Sequence, residues 1–232
     1  MPDDRVASPG HAMAMLEDIL ARRHSCRAFR PESMDEAVIR RILTAAQRTP
    51  SWCNAQPWRV ITTSGAATEA LRVGLMEHVR SGERRPDIAF PEAYRGEYQD
   101  RRRECGFQLH DAVGVARGDR GASARQAAEN FRLFGAPHAA LVTTEAALGT
   151  YGAVDCGAYI TAFMLTAQAL GVACVAQAAL AAYSPFLRTH FGIPESRKVV
   201  CGIAFRFEDA SHPANAFRTS RAPTEEVVEW RS

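Results

Sequence analysis

The sequence has no excess of charge of either sign, and its only lysine is Lys198. The 28 basic side chains face 26 acidic ones, which leaves a formal net charge of +2. A balance this close creates no broad positive field, so neither nucleic acid nor a membrane is an expected partner. With 47% hydrophobic residues over 232 positions the chain can bury a core of its own, and we expect one domain over residues 1–232.

Motifs of several common enzyme classes are also missing. The sequence contains no Gly-x-Gly-x-x-Gly segment after a strand, no Walker loop, no His-Glu-x-x-His and no Gly-x-Ser-x-Gly. The six cysteines are scattered without a Cys-x-x-Cys pair, so we expect neither a metal site nor a disulfide framework. The N-terminal Met-Pro-Asp-Asp is acidic where a secretory signal is basic, which predicts a reducing, cytoplasmic location.

Charge is absent altogether from residues 156–187, a run long enough to cross a bilayer. The run is rich in alanine and is interrupted by Gln168, Gly171 and Gln177, which argues against a membrane span. It predicts instead a buried helix over residues 155–170, a helix end at Gly171 and a central strand over residues 172–176. Because a helix that is apolar all round needs partners on all sides, a second subunit is expected to supply some of them.

The rest of the pattern predicts helices and strands that alternate along the chain, as in an α/β or α+β layered domain. A helix follows the capping box Ser33-Met-Asp-Glu36, carries its apolar residues on one face and ends before Pro50. Other helices are predicted over residues 13–22, 68–80, 123–134 and 224–230, and strands over residues 59–63, 138–144 and 199–207.

Residues 82–103 mix arginines with acidic side chains. Such mixed charge is typical of solvated helices, and we prefer that interpretation to a phosphate-binding patch. The aromatic residues Phe90, Tyr94 and Tyr98 lie within this stretch and are candidates for the mouth of a pocket.

Three polar segments carry the chemistry that the sequence offers. Arg23-His-Ser-Cys-Arg27 places two guanidinium groups and a hydroxyl where the first helix stops, a set suited to bidentate phosphate binding. Pro50-Ser-Trp-Cys-Asn-Ala-Gln-Pro-Trp58 puts a hydroxyl and an amide in one turn, which suits the C=O and N–H edge of a heterocycle. Asn215-Ala-Phe-Arg-Thr-Ser-Arg-Ala-Pro223 is basic. Taken singly, the first segment is also typical of a solvated helix end, and the second of an Asx-type turn.

In their order and spacing, the three segments resemble the FMN-dependent nitroreductase family, and the resemblance extends from about Leu16 to Trp230. It implies a nitroreductase-like α/β fold, with a central mixed sheet flanked by helices, in an intertwined homodimer with two flavins at the subunit interface. It also implies a set of FMN contacts. These are Arg23, Ser25 and Arg27 at the phosphate and ribityl chain; Pro50, Ser51 and Asn54 at the isoalloxazine ring, typically from the partner subunit; Gln177, Ala178 and Ala179 through backbone amides near flavin N5; and Arg218 and Arg221 at the phosphate. Arg218 lies one residue before the basic position of the family, which is Thr219 here.

The resemblance further implies an FMN-dependent oxidoreductase with a ping-pong mechanism. NAD(P)H would donate hydride, and a small nitroaromatic or quinone-like acceptor would then take the electrons. Because the flavin performs the redox chemistry, we expect no catalytic side chain and no metal ion. The residues leave open an FMN-dependent dehydrogenase or reductive dehalogenase of a biosynthetic intermediate, and a non-catalytic flavin-binding sensor.

Overall fold

A four-stranded antiparallel sheet forms the centre of the protein, whose computed structural model describes residues 8–80 and 82–231. The strands are β1 (Arg59–Ser64), β2 (His138–Glu145), β3 (Ala173–Gln177) and β4 (Arg197–Arg206). They lie in the order β1-β2-β4-β3, and each neighbouring pair is antiparallel. The expected layered α/β fold is confirmed. Within the described residues, the parallel part of the predicted mixed sheet is one isolated bridge, between Ser25 and Cys174.

Helices surround this sheet. They are α1 (Pro9–Arg22), α2 (Glu36–Ala46), α3 (Ala66–Arg80), α4 (Glu97–Ala112), α5 (Arg120–Ala128), α6 (Gly149–Ala169), α7 (Ala178–Ala181), α8 (Ser184–Phe191) and α9 (Thr224–Val227). The predicted inner face of α2 is confirmed, since Ile39, Ile42 and Ala46 are buried. The solvated helix expected in the mixed-charge stretch is α4, which has no buried residue. The acidic residues 1–4 lie outside the described range.

Both faces of the sheet are covered, because β2 and β4 are buried along most of their length. Side chains alternate across a strand, so neighbours enter different cores. Leu141 packs in a cluster with residues of α3, α7 and α8, whereas Val142 packs in a second cluster with residues of α2 and α6. An antiparallel sheet often leaves one face to solvent. Here neither face is free, and polar groups are accessible only at the edges of the sheet and in the connections.

The uncharged run of the sequence, residues 156–187, contains most of α6 and the whole of β3. The helix begins at Gly149, six residues before the prediction at residue 155, because Gly152 allows it to approach β2 closely: a Cβ at this position would lie 2.5 Å from Thr144 Oγ1. Gly171 follows the helix with a φ of +71°, the left-handed conformation expected at a helix end. One face of α6, including Tyr159, is buried, and the exposed residues of the other face are uncharged. None of the helices in the described residues is long and apolar enough to span a membrane.

The predicted capping box at the start of α2 is wrong. The helix begins at Glu36, and its N-cap is Asp35, whose carboxylate accepts a hydrogen bond from Ala37 N–H at 2.8 Å. The physical reason lies in the sheet. Met34 N–H donates to Nε2 of the buried His138 at 3.0 Å. This hydrogen bond holds Met34 in the loop, and the N-cap of the helix follows at the next residue.

The helix predicted over residues 123–134 is wrong in its second half. α5 ends at Ala128, and the buried Leu133 and Phe134 adopt left-handed φ angles of 56° and 51°. The guanidinium group of Arg72 donates to two carbonyl groups of this turn, at 2.9 and 2.7 Å. A tertiary contact with α3 thus overrides the local preference for helix.

His138 makes the stability of this fold sensitive to pH. Burial lowers the pKa of its imidazole, and the Arg206 cation lowers it further. Below about pH 6.5 the unfolded chain binds a proton at this position that the folded chain does not bind, so the free energy of unfolding falls as the pH drops towards the lowered folded pKa. One proton contributes at most about 1.4 kcal/mol per pH unit.

Urea unfolding at a series of pH values below about 6.5 measures this fall in the free energy of unfolding. His138→Gln keeps an acceptor for Met34 N–H and should lose this part of the pH dependence, while the same substitution at the exposed His11 should retain it. An equal slope in the His138→Gln and wild-type proteins would contradict the prediction.

Candidate active site

Two sets of predicted residues that lie far apart in sequence line one cavity of about 310 Å³. Arg23, Ser25 and Arg27 come from the segment that follows α1, and Arg218 and Arg221 come from the C-terminal segment. We call this cavity the anion pocket.

The first set faces the pocket because Ser25 and Cys26 pair with the edge of β3. Ser25 forms a parallel bridge with Cys174, and Cys26 N–H donates to the Cys174 carbonyl at 3.2 Å. Successive side chains of an extended segment point in opposite directions. Cys26 is therefore directed into the core, where burial raises the pKa of its thiol to about 12, while its neighbours Ser25 and Arg27 line the pocket.

The anion pocket is positively charged and uncompensated. Among the described residues that line it none is acidic, and none of its four arginines forms an ion pair with any part of the chain that the structure describes. By contrast, the adjacent Arg22 pairs with Asp18 at 2.6 Å. Burial lowers the pKa of the Arg27 guanidinium. Because a partly buried cation without a counter-ion is costly, an anionic ligand would stabilise the half-buried Arg27 in this arrangement.

The two C-terminal arginines are held by their own turn. Arg218 Nη1 donates to the carbonyls of Asn215 and Phe217, both at 2.8 Å. Arg221 Nη1 donates to Thr219 Oγ1 at 2.8 Å and to the Ser220 carbonyl at 2.7 Å. These contacts use one terminal nitrogen of each guanidinium group, and the remaining N–H groups are available to a ligand. The structure places Arg218 in the pocket wall although it lies one residue before the family position.

The loop from Pro50 to Trp58 is strained. Cys53, Asn54 and Gln56 have φ angles of 50°, 54° and 47°, in the left-handed region that costs a non-glycine residue about 1–3 kcal/mol. Asparagine tolerates this region best. Contacts from other elements hold the loop: Trp52 N–H lies 3.2 Å from both carboxylate oxygens of Asp155 in α6, and the buried Arg197 donates to the Pro57 carbonyl at 2.8 Å.

A chain of side-chain hydrogen bonds orients Asn54. Trp58 Nε1 donates to Gln47 Oε1 at 2.9 Å, Gln47 Nε2 donates to Gln56 Oε1 at 2.9 Å, and Gln56 Nε2 donates to Asn54 Oδ1 at 3.0 Å. An indole N–H can only donate, so it determines the orientation of each amide that follows. The carbonyl oxygen of Asn54 is therefore already engaged, and its NH₂ group is the free end. The sequence indicated both a donor and an acceptor at this position, whereas the structure offers chiefly the donor.

The third predicted set lies where β3 meets α7. Gln177 is buried, and its side chain donates to the Asn130 carbonyl at 2.7 Å, so it is directed into the protein. Ala178 and Ala179 form the first turn of α7, where backbone N–H groups lack intrahelical partners. The predicted role of this set through backbone amides is compatible with that geometry.

The chain does not bring all the predicted residues into one cavity. Pro50 lines a separate groove with Ala158, Thr161 and Leu165 of α6, and neither the Pro50 loop nor the Gln177 set lines the anion pocket. The aromatic candidates Phe90, Tyr94 and Tyr98 are exposed and also lie outside it, so their place at a pocket mouth stays a prediction. In the described part of the chain, no group of three His, Cys, Asp or Glu side chains is placed to hold a metal ion.

Sequence reasoning missed the residues that support this site. Gln47, Gln56, Arg197 and Asn215 hold the predicted residues in place through hydrogen bonds. The only available signal was that Gln56 and Asn215 lie inside the segments that carry the resemblance.

The chain is similar over most of its length to several known proteins. The model of the Nitroreductase family matches residues 20–205. The chain is 34% identical to nitroreductase NfnB of Mycolicibacterium smegmatis over 221 residues, which cover 92% of each protein. It is 30% identical to a 4-nitrobenzoate reductase of Nocardioides sp. over 238 residues, which cover 98% of this chain and 95% of the relative.

The fold also matches a crystal structure of the FMN-dependent nitroreductase NfnB from Mycobacterium smegmatis in complex with NADPH. The TM-score is 0.91 at 31% sequence identity, and the match covers 95% of this chain and 100% of the other.

The charge of the anion pocket can be tested by removing one arginine from each of its two segments. Arg23→Ala combined with Arg221→Ala should weaken FMN binding at least about 100-fold, because each lost charge-assisted contact contributes about 1.5–3 kcal/mol. The protein should therefore purify colourless but folded, as measured by flavin absorbance and circular dichroism. Arg22→Ala removes an exposed, ion-paired arginine and should leave flavin content unchanged. Full flavin content in the double variant would refute the assignment.

The donor role of Asn54 can be separated from its backbone conformation. Asn54→Gly removes the amide without adding strain, because glycine adopts a positive φ freely. Losing one hydrogen bond should weaken FMN and riboflavin binding by the same factor, about 2- to 12-fold, as measured by fluorescence titration. The control is Cys53→Gly, which changes the neighbouring left-handed position and should bind FMN and riboflavin with wild-type affinity. If Asn54→Gly changes neither affinity, the residue serves only the turn.

Proposed function

This chain belongs to the nitroreductase family, and from that premise we propose that it is an FMN-dependent oxidoreductase that uses NAD(P)H to reduce nitroaromatic or quinone-like acceptors. The observation that carries the proposal is the anion pocket, in which four arginines from distant parts of the chain meet without an acidic partner among the residues that the structure describes.

The residues present fit FMN. A phosphate monoester carries close to two negative charges and accepts several hydrogen bonds, which matches the guanidinium groups of the pocket and the Ser25 hydroxyl. Bound FMN would supply the redox chemistry, by accepting hydride from NAD(P)H and passing electrons to the second substrate in a ping-pong mechanism.

The tasks of the chain itself are binding and orientation. The arginines would neutralise the phosphate, and the Asn54 NH₂ group would donate to a carbonyl oxygen of the ring. The backbone N–H groups of Ala178 and Ala179 would stabilise negative charge near N5. No side chain is required to act as an acid, a base or a nucleophile.

A homodimer would complete the site. α1 exposes Met13, Met15, Leu16 and Leu20, each between 44% and 52% exposed, and the open face of α6 is uncharged. Exposed apolar surface of this kind is typical of a subunit interface. The groove beside Pro50 lies on the same face of α6. In a homodimer, the Pro50 loop of one protomer would reach the flavin held by the anion pocket of its partner.

The proposal extends to location and domain organisation. A single domain over residues 1–232 is supported by the two hydrophobic clusters, which lie on opposite faces of one sheet. A cytoplasmic location is supported by the cysteines, all six of which are free thiols.

The absorbance spectrum of the purified protein, recorded without oxygen before and after addition of NADPH or NADH, tests the function. We expect the bands of oxidised flavin to bleach and to return when 4-nitrobenzoate or a quinone is added. A flavin spectrum that does not bleach would overturn the proposed use of NAD(P)H and favour the dehydrogenase or sensor alternative. A colourless protein that takes up no added FMN would overturn the proposal as a whole.

A further inference from the structure

The buried amide of Asn215 connects the two halves of the anion pocket. Its Oδ1 accepts a hydrogen bond from Arg27 N–H at 2.7 Å, and its Nδ2 donates to the carbonyls of Ala28 and Asp209, both at 2.9 Å. The residue is 3% exposed. Both donor hydrogens and the acceptor oxygen are thus used, and two of the three contacts cross 187 residues or more of sequence.

The main chain of Asn215 extends the connection to the C-terminal arginines. The Asn215 carbonyl accepts a hydrogen bond from Arg218 Nη1 at 2.8 Å. Phe217, two residues after Asn215, packs against the Arg27 guanidinium, with 5.7 Å between Arg27 Cζ and the centre of the ring. One residue therefore contacts the backbone of an arginine from the first segment and the side chain of an arginine from the last.

Other hydrogen bonds join these segments, but the C-terminal partner in each lies at or before Asp209, outside the residues that line the pocket. Arg30 N–H donates to the Phe207 carbonyl, Asp209 N–H donates to the Ala28 carbonyl, and His24 pairs with Glu208 at 3.0 Å. Beyond Asp209, each hydrogen bond between the described C-terminal segment and residues 23–30 involves Asn215. Without it, no hydrogen bond among the described residues would join the first segment to the C-terminal segment beyond Asp209, and the packing of Phe217 on Arg27 would be left to do so.

We propose that Asn215 is a positioning residue that sets the spacing of Arg27 and Arg218 for the phosphate of FMN. The inference rests on the proposed function, because it takes the anion pocket to be the phosphate site. Asparagine suits the task because it accepts from an N–H and donates to two carbonyls at once. Aspartate keeps the acceptor but loses both donors, and alanine loses all three contacts.

Comparing FMN with riboflavin isolates the phosphate. The two ligands share ring and ribityl chain, so the ratio of the riboflavin Kd to the FMN Kd measures the contribution of the phosphate. We expect the wild-type protein to prefer FMN strongly and Asn215→Ala to reduce this ratio by about tenfold or more, with riboflavin affinity changed less than about twofold. Asn215→Asp should have an effect in the same direction. Binding is measured by quenching of flavin fluorescence.

Thr68→Ala is the matched control for stability. Thr68 is fully buried, its hydroxyl donates to Thr63 Oγ1 at 2.9 Å, and it lies in α3 away from the anion pocket. The Thr68→Ala variant should lose thermal stability, as Asn215→Ala does, but should keep the wild-type ratio of the riboflavin Kd to the FMN Kd.

The outcomes separate the inference from the function. A wild-type protein that binds riboflavin as tightly as FMN would overturn both the phosphate pocket and the role of Asn215. A wild-type preference for FMN that Asn215→Ala leaves intact, or an equal loss of affinity for both ligands, would overturn the inference alone. If neither Asn215 variant folds, hydrogen exchange in the wild-type protein decides: FMN should protect residues 24–29 and 212–218 more than riboflavin does, and equal protection would overturn the inference.

Discussion

The pairing of β2 with β4, buried on both faces, is the constraint on which the rest of the structure depends. Helices cover both faces of this pair, so most of its polar side chains, such as those of His138 and Arg206, are buried. Polar chemistry is confined to the edge at β3 and to the connections between strands and helices. Ser25 and Cys26 pair with that edge, and the strand period of two then directs Ser25 and Arg27 away from the core.

The candidate site combines three features that are energetically unfavourable in the isolated chain. Four arginines share a pocket that no described carboxylate lines, three residues of the Pro50 loop hold left-handed conformations, and the open face of α6 exposes uncharged residues to solvent. Each feature costs free energy in the isolated chain. An anionic ligand would neutralise the arginines, and a partner subunit would cover the open face of α6. Cofactor binding and dimer formation therefore belong to one proposal.

Much of the fold could be predicted from the sequence. Where apolar residues recur at a regular period, as in α2, the pattern specifies the element and the face that it buries. The errors occurred where a distant residue outweighs local preference. Met34 is held by His138, the turn after α5 is held by Arg72, and Gly152 continues α6 because it fits against Thr144.

By itself, the sequence determined the family, the helices and strands of the core, and the residue types suited to a phosphorylated heterocycle. The resemblance had placed the segments after α1 and before α9 at one phosphate, whereas only the tertiary structure decided that Asn215 joins them, that Asn54 presents a donor, and that the Pro50 loop lies apart from the arginines within a protomer. The reason is physical. Periodicity and local motifs depend on neighbours in sequence, whereas charge compensation, the orientation of amides and the joining of chain ends depend on groups that meet only when the sheet has formed.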